Sequence, residues 1–490
     1  VPGNTIPGTI AGKLPPGPSA ETFMRASTLL FLVTALIALQ PWLGQGKTAA
    51  RPNIVFIMAD DLGYQELACY GQKKIKTPHI DRIAHEGIRF LDCYAGSSVC
   101  APSRSVLMTG LHSGHTPIRS NGGGKALWPE DITVAEVLKE AGYATGCFGK
   151  WGLGIEKTTG HPNRQGFDVF FGYLHQVHAH FYYPYFLWSN ETRFPLPENE
   201  GRKRVRYSHD EIQAQAVKFI RKNKDRPFFC YLPYTIPHVE LVVPEDSLKP
   251  YLGKWKETPL PDPRKGYIGS DTPYATFAGM VSRMDRDVGK ILTLLEELKI
   301  ADNTIVIFTS DNGAQGGPWA RMTDFFHGTG HLRGYKGQFY EGGIRVPLVA
   351  RWPGHIRAGS VTAHPCGFWD VLPTLAELAE AKTPKGLDGI SLVPTLLGQG
   401  TQKSQEFLYW GMAGRGGLNE AVRMGNWKLL KFAGGRVELY DLAADPSEIR
   451  NVAKKHPEVV GKIQDYLKTA RTKERTYPPE KRTGINDYVR

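Results

Sequence analysis

Residues 53–59 (N-I-V-F-I-M-A) are apolar at nearly every position and then break into Asp60-Asp61 and Gly63. An unbroken apolar run of this length predicts a strand buried on both faces and ending in a turn. Two further runs share the form: residues 228–234, ending at Pro237-His238, and residues 304–309, ending at Ser310-Asp311-Asn312-Gly313. A shorter one, residues 143–148, runs into Gly149-Lys150. Between these runs the period changes. Thr133 and Glu136 form a capping-box pattern, with Val134, Val137, Leu138 and Ala141 on one helical face and Gly142 to stop it. Phe277, Val281, Met284, Val288, Ile291, Leu295 and Leu298 recur at three- and four-residue steps and predict an amphipathic helix. Residues 241–273 carry many Pro and Gly and predict a long surface excursion.

Strands alternating with helices predict an α/β fold, a large and mainly parallel sheet flanked by helices. In such sheets ligands bind beyond the carboxyl ends of the strands. Asp60, Asp61, Lys150, His238, Asp311 and Asn312 all follow apolar runs, so they are expected at one rim. After residue 400 the texture changes. Short runs at 406–410, 427–432 and 437–440 predict a small antiparallel sheet, closed by a helix over 457–472. We therefore expect a catalytic domain over 51–400 and a C-terminal subdomain over 401–490.

The first fifty residues read differently. Met24-Arg25, an apolar run over 29–39 and the small residues Thr48-Ala49-Ala50 have the form of a signal peptide, residues 24–50. The run is too short for an ordinary spanning helix. Residues 1–23 precede this start and read as upstream sequence. The expectation is a secreted or periplasmic protein with no stable membrane anchor. The 490 residues are 41% hydrophobic and 22% charged, as in a globular protein with a large core. The formal charge is +12, and without the leader it stays near +10. A basic surface suits polyanions, sulfated glycans among them. No nucleic-acid-binding signature is present, so no nucleic-acid partner is expected. Six cysteines in so long a chain do not make a disulfide scaffold, and their pairing stays open.

Paired carboxylates at a strand end suit a hard cation, which prefers oxygen ligands. Asp60-Asp61 is one such pair, and Asp311-Asn312 adds a carboxylate and an amide oxygen. Taken singly, each is more often a turn or helix cap. The sharpest motif is Cys100-Ala101-Pro102-Ser103-Arg104, continuing to Leu107-Met108-Thr109-Gly110. It resembles the C-x-P-S-R-x-x-L-x-T-G signature of type I sulfatases, in the alkaline phosphatase superfamily, at every fixed position. The resemblance extends from about Pro52 to Ala453 and implies an alkaline phosphatase-like fold that hydrolyses sulfate esters. It implies that Cys100 is oxidised to formylglycine by a separate formylglycine-generating enzyme or anaerobic maturase. It also implies a Ca2+ site built from Asp60, Asp61, residue 100, Asp311 and Asn312. Arg104 matches the arginine that holds the formylglycine, Lys150 the lysine at nucleophile and sulfate, and His238 the histidine near the leaving oxygen. Lys336 matches the sulfate-binding lysine. A thiolate suits calcium poorly, whereas a hydrated aldehyde offers two hydroxyls on one carbon.

One departure stands out. The family commonly reads G-K-W-H-L-G, with a histidine that helps expel sulfate; here the string is Gly149-Lys150-Trp151-Gly152-Leu153-Gly154. Downstream lie His175, His178 and His180, the last two in an H-A-H-x-Y-Y-P segment similar to that of some bacterial members acting on sulfated sugars. His178 or His180 is expected to reach the pocket, as base or substrate contact, and loop histidines of no such role are the competing expectation. The same segment points to a galactose or N-acetylgalactosamine sulfate; an aryl sulfate is the other substrate expected. Two other classes stay open: a phosphodiesterase or phosphonate monoester hydrolase of the same superfamily, and a non-catalytic glycan-binding relative.

Overall fold

The computed structural model describes residues 12–13, 51–122, 124–261, 267–414 and 416–477. The expected signal peptide lies outside them. Strand β1, Asn53–Ala59, runs through the middle of the main sheet with every residue buried. Its side chains alternate between two cores: Ile54, Phe56 and Met58 join one, Val55, Ile57 and Ala59 the other. A strand that feeds both faces has no polar side to show, which is why the run is continuous rather than alternating.

In chain order the other strands of that sheet are β2 (Ile88–Phe90), β4 (Ala144–Lys150), β5 (Val169–Tyr173), β6 (Phe186–Ser189), β7 (Thr192–Pro195), β8 (Phe228–Pro233), β9 (Thr304–Ser310), β10 (Leu348–Arg351) and β11 (Ser360–Thr362). They lie in the order β11-β2-β10-β9-β1-β8-β4-β5-β6-β7. The centre, β9-β1-β8-β4-β5, is parallel, and antiparallel pairs flank it. Parallel neighbours point the same way, so β1, β4, β8 and β9 deliver their carboxyl ends to a single rim. The ten-stranded sheet and its flanking helices match the expected fold class.

The helix over Pro273–Glu297 packs its apolar face on one core and carries Pro at its start, where the missing N–H costs nothing. The excursion after β8 is less superficial than its composition suggests. Leu241, Val242 and Val243 are buried against the same core, and Tyr251 with them. A two-stranded pair, β3 (Cys93–Tyr94) and β12 (Cys366–Gly367), sets Cys93 opposite Cys366. All six cysteines are unbridged.

The C-terminal sheet has four antiparallel strands, β13 (Leu408–Gly414), β14 (Gly417–Met424), β15 (Trp427–Lys431) and β16 (Val437–Asp441), followed by a helix over Pro457–Leu467. The described residues from Arg51 onward belong to one compact unit. Buried polar contacts link residues before and after 400: Trp410 Nε1 donates to Ala95 O, Lys428 Nζ lies 2.7 Å from Glu341, and the Glu341 N–H donates to Glu448. Among the described residues no helix is long and apolar enough to cross a membrane.

Candidate active site

Cys100 opens a ten-residue helix, Cys100–Thr109, in which every residue is buried. Pro102 sits in its first turn, where backbone N–H groups lack helical partners anyway. Gly110 closes it in the left-handed region, φ 69°, its N–H donating to Val106 O. This helix points its N-terminus at the rim where β1, β4 and β9 end. Asp60 Oδ1 lies 3.5 Å from Cys100 Sγ, and Lys336 Nζ 3.3 Å. Ligand atoms of Asp60, Asp61, Cys100 and His238 all lie within 4.8 Å of one another.

Arg104, one turn into the helix, binds the two acidic strand ends together. Its guanidinium donates to Asp311 Oδ2 from Nε at 3.1 Å and Nη2 at 2.7 Å, and stands 3.6 Å from Asp60 Oδ2. It also donates to Lys150 O. Lys150 Nζ meets Asp60 Oδ2 at 2.6 Å, with both side chains fully buried. Lys336, 19% exposed, reaches in from the cavity wall to Asp61 Oδ1 at 2.7 Å. Asn312 Nδ2 donates to Asp61 Oδ1 at 2.8 Å, and the Asp61 N–H donates to Asp311 Oδ1 at 3.2 Å. Asp61 itself has φ 64°, a region that short polar side chains tolerate best. The structure thus gathers Asp60, Asp61, Cys100, Arg104, Lys150, His238, Asp311, Asn312 and Lys336 at one place.

The charges divide the carboxylates. Burial opposes the Asp60 charge, but Lys150, Arg104 and Lys336 outweigh it and hold this carboxyl well below the usual range. Asp61 goes the other way, raised to about 6 by burial and by Asp60 and Asp311, with Lys336 in opposition. Burial and Asp60 also raise Asp311. The Cys100 thiol is pushed up to about 12 by burial and by Asp60, so it stays protonated at neutral pH and is a poor nucleophile and a poor ligand. Burial, Lys336 and Lys150 lower His238 well below the ordinary imidazole value. Its Nδ1 faces Val239 O, which fixes the proton there and leaves Nε2, 3.3 Å from Asp61 Oδ2, as the chemically available nitrogen.

These residues fit a hard divalent cation. Three carboxylates and an amide supply oxygen only, and Asn312 Oδ1 is buried with no hydrogen-bond partner among the described residues. The site floors a cavity of about 460 Å³, lined also by Asn121, His175, Gln176, His180, Tyr267, Gln315 and Trp319. That is the size range of small-ligand sites.

The histidine segment splits. His180 faces the cavity; its ring stacks on His238 with centroids 4.2 Å apart, and its Nδ1 lies 2.6 Å from Tyr267 Oη. His178 is fully buried between the Tyr173 and Phe186 rings, at 4.8 and 4.6 Å, and does not line the cavity. Sequence reasoning missed Gln176 and Tyr267. Gln176 sits next to the flagged histidines, but nothing local marks it; Tyr267 comes from the far end of the excursion after β8.

Comparison with known proteins agrees with this geometry. The sulfatase family model matches residues 52–381, and the model described as N-sulphoglucosamine sulphohydrolase, C-terminal, matches residues 333–474. The N-acetylgalactosamine-6-O-sulfatase of Bacteroides thetaiotaomicron is 30% identical over 87% of this chain and 94% of its own length. Human arylsulfatase A is 35% identical over 83% of this chain and 80% of its own. Among solved structures, that of Ps i-CgsB in complex with k-i-k-neocarrahexaose superposes with a TM-score of 0.72 at 30% identity, covering 86% of this chain and 93% of the other. The chain belongs to the sulfatase family and is a sulfuric ester hydrolase.

Proposed function

We propose that this enzyme removes sulfate from a sulfated sugar of the galactose or N-acetylgalactosamine type, outside the cytoplasm, with residue 100 matured to formylglycine. Ca2+ would be held by Asp60, Asp61, Asp311, Asn312 and residue 100. The observation that carries the reading is the placement of residue 100 on the cavity floor, 3.5 Å from Asp60 and 3.3 Å from Lys336, beside an all-oxygen donor set. The bacterial relative named as an N-acetylgalactosamine-6-O-sulfatase and the structure in complex with an oligosaccharide support a sugar as substrate.

When bound, calcium polarises oxygens around it, and the hydrated aldehyde supplies two hydroxyls on one carbon. The protein side chains do the rest. Lys336, at the cavity wall, is the cation best placed to meet an incoming sulfate. Lys150 and Arg104 are fully buried and held by Asp60, Asp311 and backbone, so they are preorganised for charge that shifts onto sulfate oxygens. His238 donates to the departing alcohol only from Nε2, and only as imidazolium. Burial, Lys336 and Lys150 oppose that protonation; the negative charge of a bound sulfate would relieve the opposition.

The experiment is inorganic sulfate release from a panel of defined sulfated sugars and nitrophenyl sulfate, run beside nitrophenyl phosphate esters. Sugar sulfates should be turned over and phosphate esters should be far slower. The intact mass of the peptide bearing residue 100 should show thiol replaced by aldehyde or its hydrate, and Cys100→Ala should fold without turnover. Preference for the phosphate esters, or full turnover with an unmodified thiol, would overturn the proposal.

A further inference from the structure

The position at which this chain departs from its family's commonest pattern is occupied in space by another residue. The pairing of β4 with β5 continues past Lys150: the Trp151 N–H donates to Tyr173 O at 2.9 Å, and the Gly152 N–H to Leu174 O at 3.1 Å. That register lays residue 152 directly under Gln176. Gly152 has φ 78°, and a Cβ built there would come within 2.1 Å of Gln176 Nε2 and 2.9 Å of its Cδ. A side chain at 152 and the carboxamide of 176 therefore compete for one volume, and here the carboxamide has it.

Gln176 lines the active-site cavity with Cys100, His180, His238 and Lys336. Its Nε2 and Oε1 are both buried, and neither has a hydrogen-bond partner among the described residues. Leaving one buried polar atom unpaired is costly, and native structures seldom leave two on one side chain. The economical resolution is a partner that arrives with the substrate. A carboxamide offers donors and lone pairs side by side and does not titrate. It suits a sugar hydroxyl or acetamido group, each of which both donates and accepts, and it cannot take over proton transfer.

We infer that Gln176 is a specificity-determining residue: it binds a polar group of the sugar next to the sulfate, in the space a side chain at position 152 would fill. The inference rests on the sulfated-sugar reading above. It turns a proton-handling position into a substrate-reading one, and it assigns Gly152 the role of making room.

The test compares kcat/KM for N-acetylgalactosamine 6-sulfate or a galactose sulfate with kcat/KM for 4-nitrophenyl sulfate, which lacks those groups. Wild type, Gln176→Leu and Gln176→Ala are measured, the last because it only removes atoms; thermal unfolding checks that each variant is folded. The sugar-to-aryl ratio should fall about 10- to 100-fold in both variants, chiefly through KM. A ratio that stays within about twofold of wild type, including one where both substrates lose equally, overturns the inference. A wild type that cleaves the aryl sulfate and no sugar instead overturns the sugar reading on which it rests.

Discussion

Replacing Lys428 by Met should loosen the C-terminal sheet from the rest of the protein and leave a pH signature. Lys428, Glu341 and Glu448 are each fully buried, and the single ammonium serves both carboxyls, at 2.7 and 2.9 Å. Methionine keeps the volume and removes the charge. Glu341 retains Arg345 and the Tyr94 hydroxyl, but among the described residues the Glu448 carboxyl keeps only the Glu341 N–H at 2.6 Å. Breaking one partner out of a buried ionic cluster costs about 3–5 kcal/mol. With roughly 2.1 cal/mol/K of unfolding entropy per residue, a body this size should lose about 3–5 °C in Tm. The pH dependence follows from Glu448, whose carboxyl is raised to about 7 by burial and by Glu341, against Lys428. A carboxyl raised in the folded state contributes fully below its ordinary value of 4.5 and loses that contribution as pH rises through about 7. Without Lys428 the folded value climbs further, so the variant keeps losing stability above pH 7 where wild type has levelled. At about 1.4 kcal/mol per unit, the gap should widen by about 2 kcal/mol between pH 7 and 8.5. Calorimetric unfolding at pH 6.5, 7 and 8.5 measures it. A Tm difference under about 1 °C at pH 7, or one that does not change with pH, would refute the reasoning.

Three further outcomes follow from the site. Chelation should leave the protein folded, because Arg104, Lys150 and Lys336 balance Asp60, Asp61 and Asp311; calcium at a hundredfold excess over its Kd should then return about 2.7 kcal/mol, read as a rise in Tm. Arg104→Lys keeps the charge but not the fork that spans Asp311, Asp60 and Lys150 O; turnover should fall at least about a hundredfold, and near-normal kcat would argue against a positioning role. His180→Ala should cut turnover, since His180 braces His238, whereas His178→Ala should lower Tm by opening a void between Tyr173 and Phe186; equal turnover for the two variants would reject the distinction.

What could be read from the chain depended on how each element is buried. β1 and β9 were legible because strands buried on both faces leave uninterrupted apolar runs. The helix over Pro273–Glu297 was legible because it has one wet face. The helix over Cys100–Thr109 has none: all ten residues are buried, four of them Ser, Thr or Arg, so no period marks it and only its motif drew attention. β14 escaped because Gly417, Asn419 and Arg423 dilute its pattern, and its pairing with β13 and β15, not local composition, makes it a strand. Of the residues gathered in the site, Asp60, Asp61, Lys150, His238, Asp311 and Asn312 were legible as polar groups following apolar runs, whereas Cys100, Arg104 and Lys336 were marked only by the motif and the resemblance. Gln176 was not, because its place comes from register between distant strands. The one local trace was the side chain missing at Gly152.

The last point concerns Lys336, which has two acidic claims on it. In the structure its ammonium is spent on Asp61, 2.7 Å away, and it touches Cys100 Sγ at 3.3 Å. To meet a sulfate it must give up at least part of the Asp61 contact, and Asp61, buried and beside Asp60 and Asp311, then needs another cation. Asp60, Asp61 and Asp311 would hold a divalent ion that could meet that need, and Lys336 would then be free to face the cavity. Ion and lysine are thus competitors for Asp61 and like charges in one low-dielectric space. Lys336→Met should therefore bind calcium more tightly than wild type, by about tenfold or more, while its KM for a sulfate ester rises. Titration calorimetry of the chelated proteins gives the first quantity and steady-state kinetics the second. Weaker calcium binding in the variant would show that Lys336 supports the ion site rather than competing with it, and the division of labour argued here would fail.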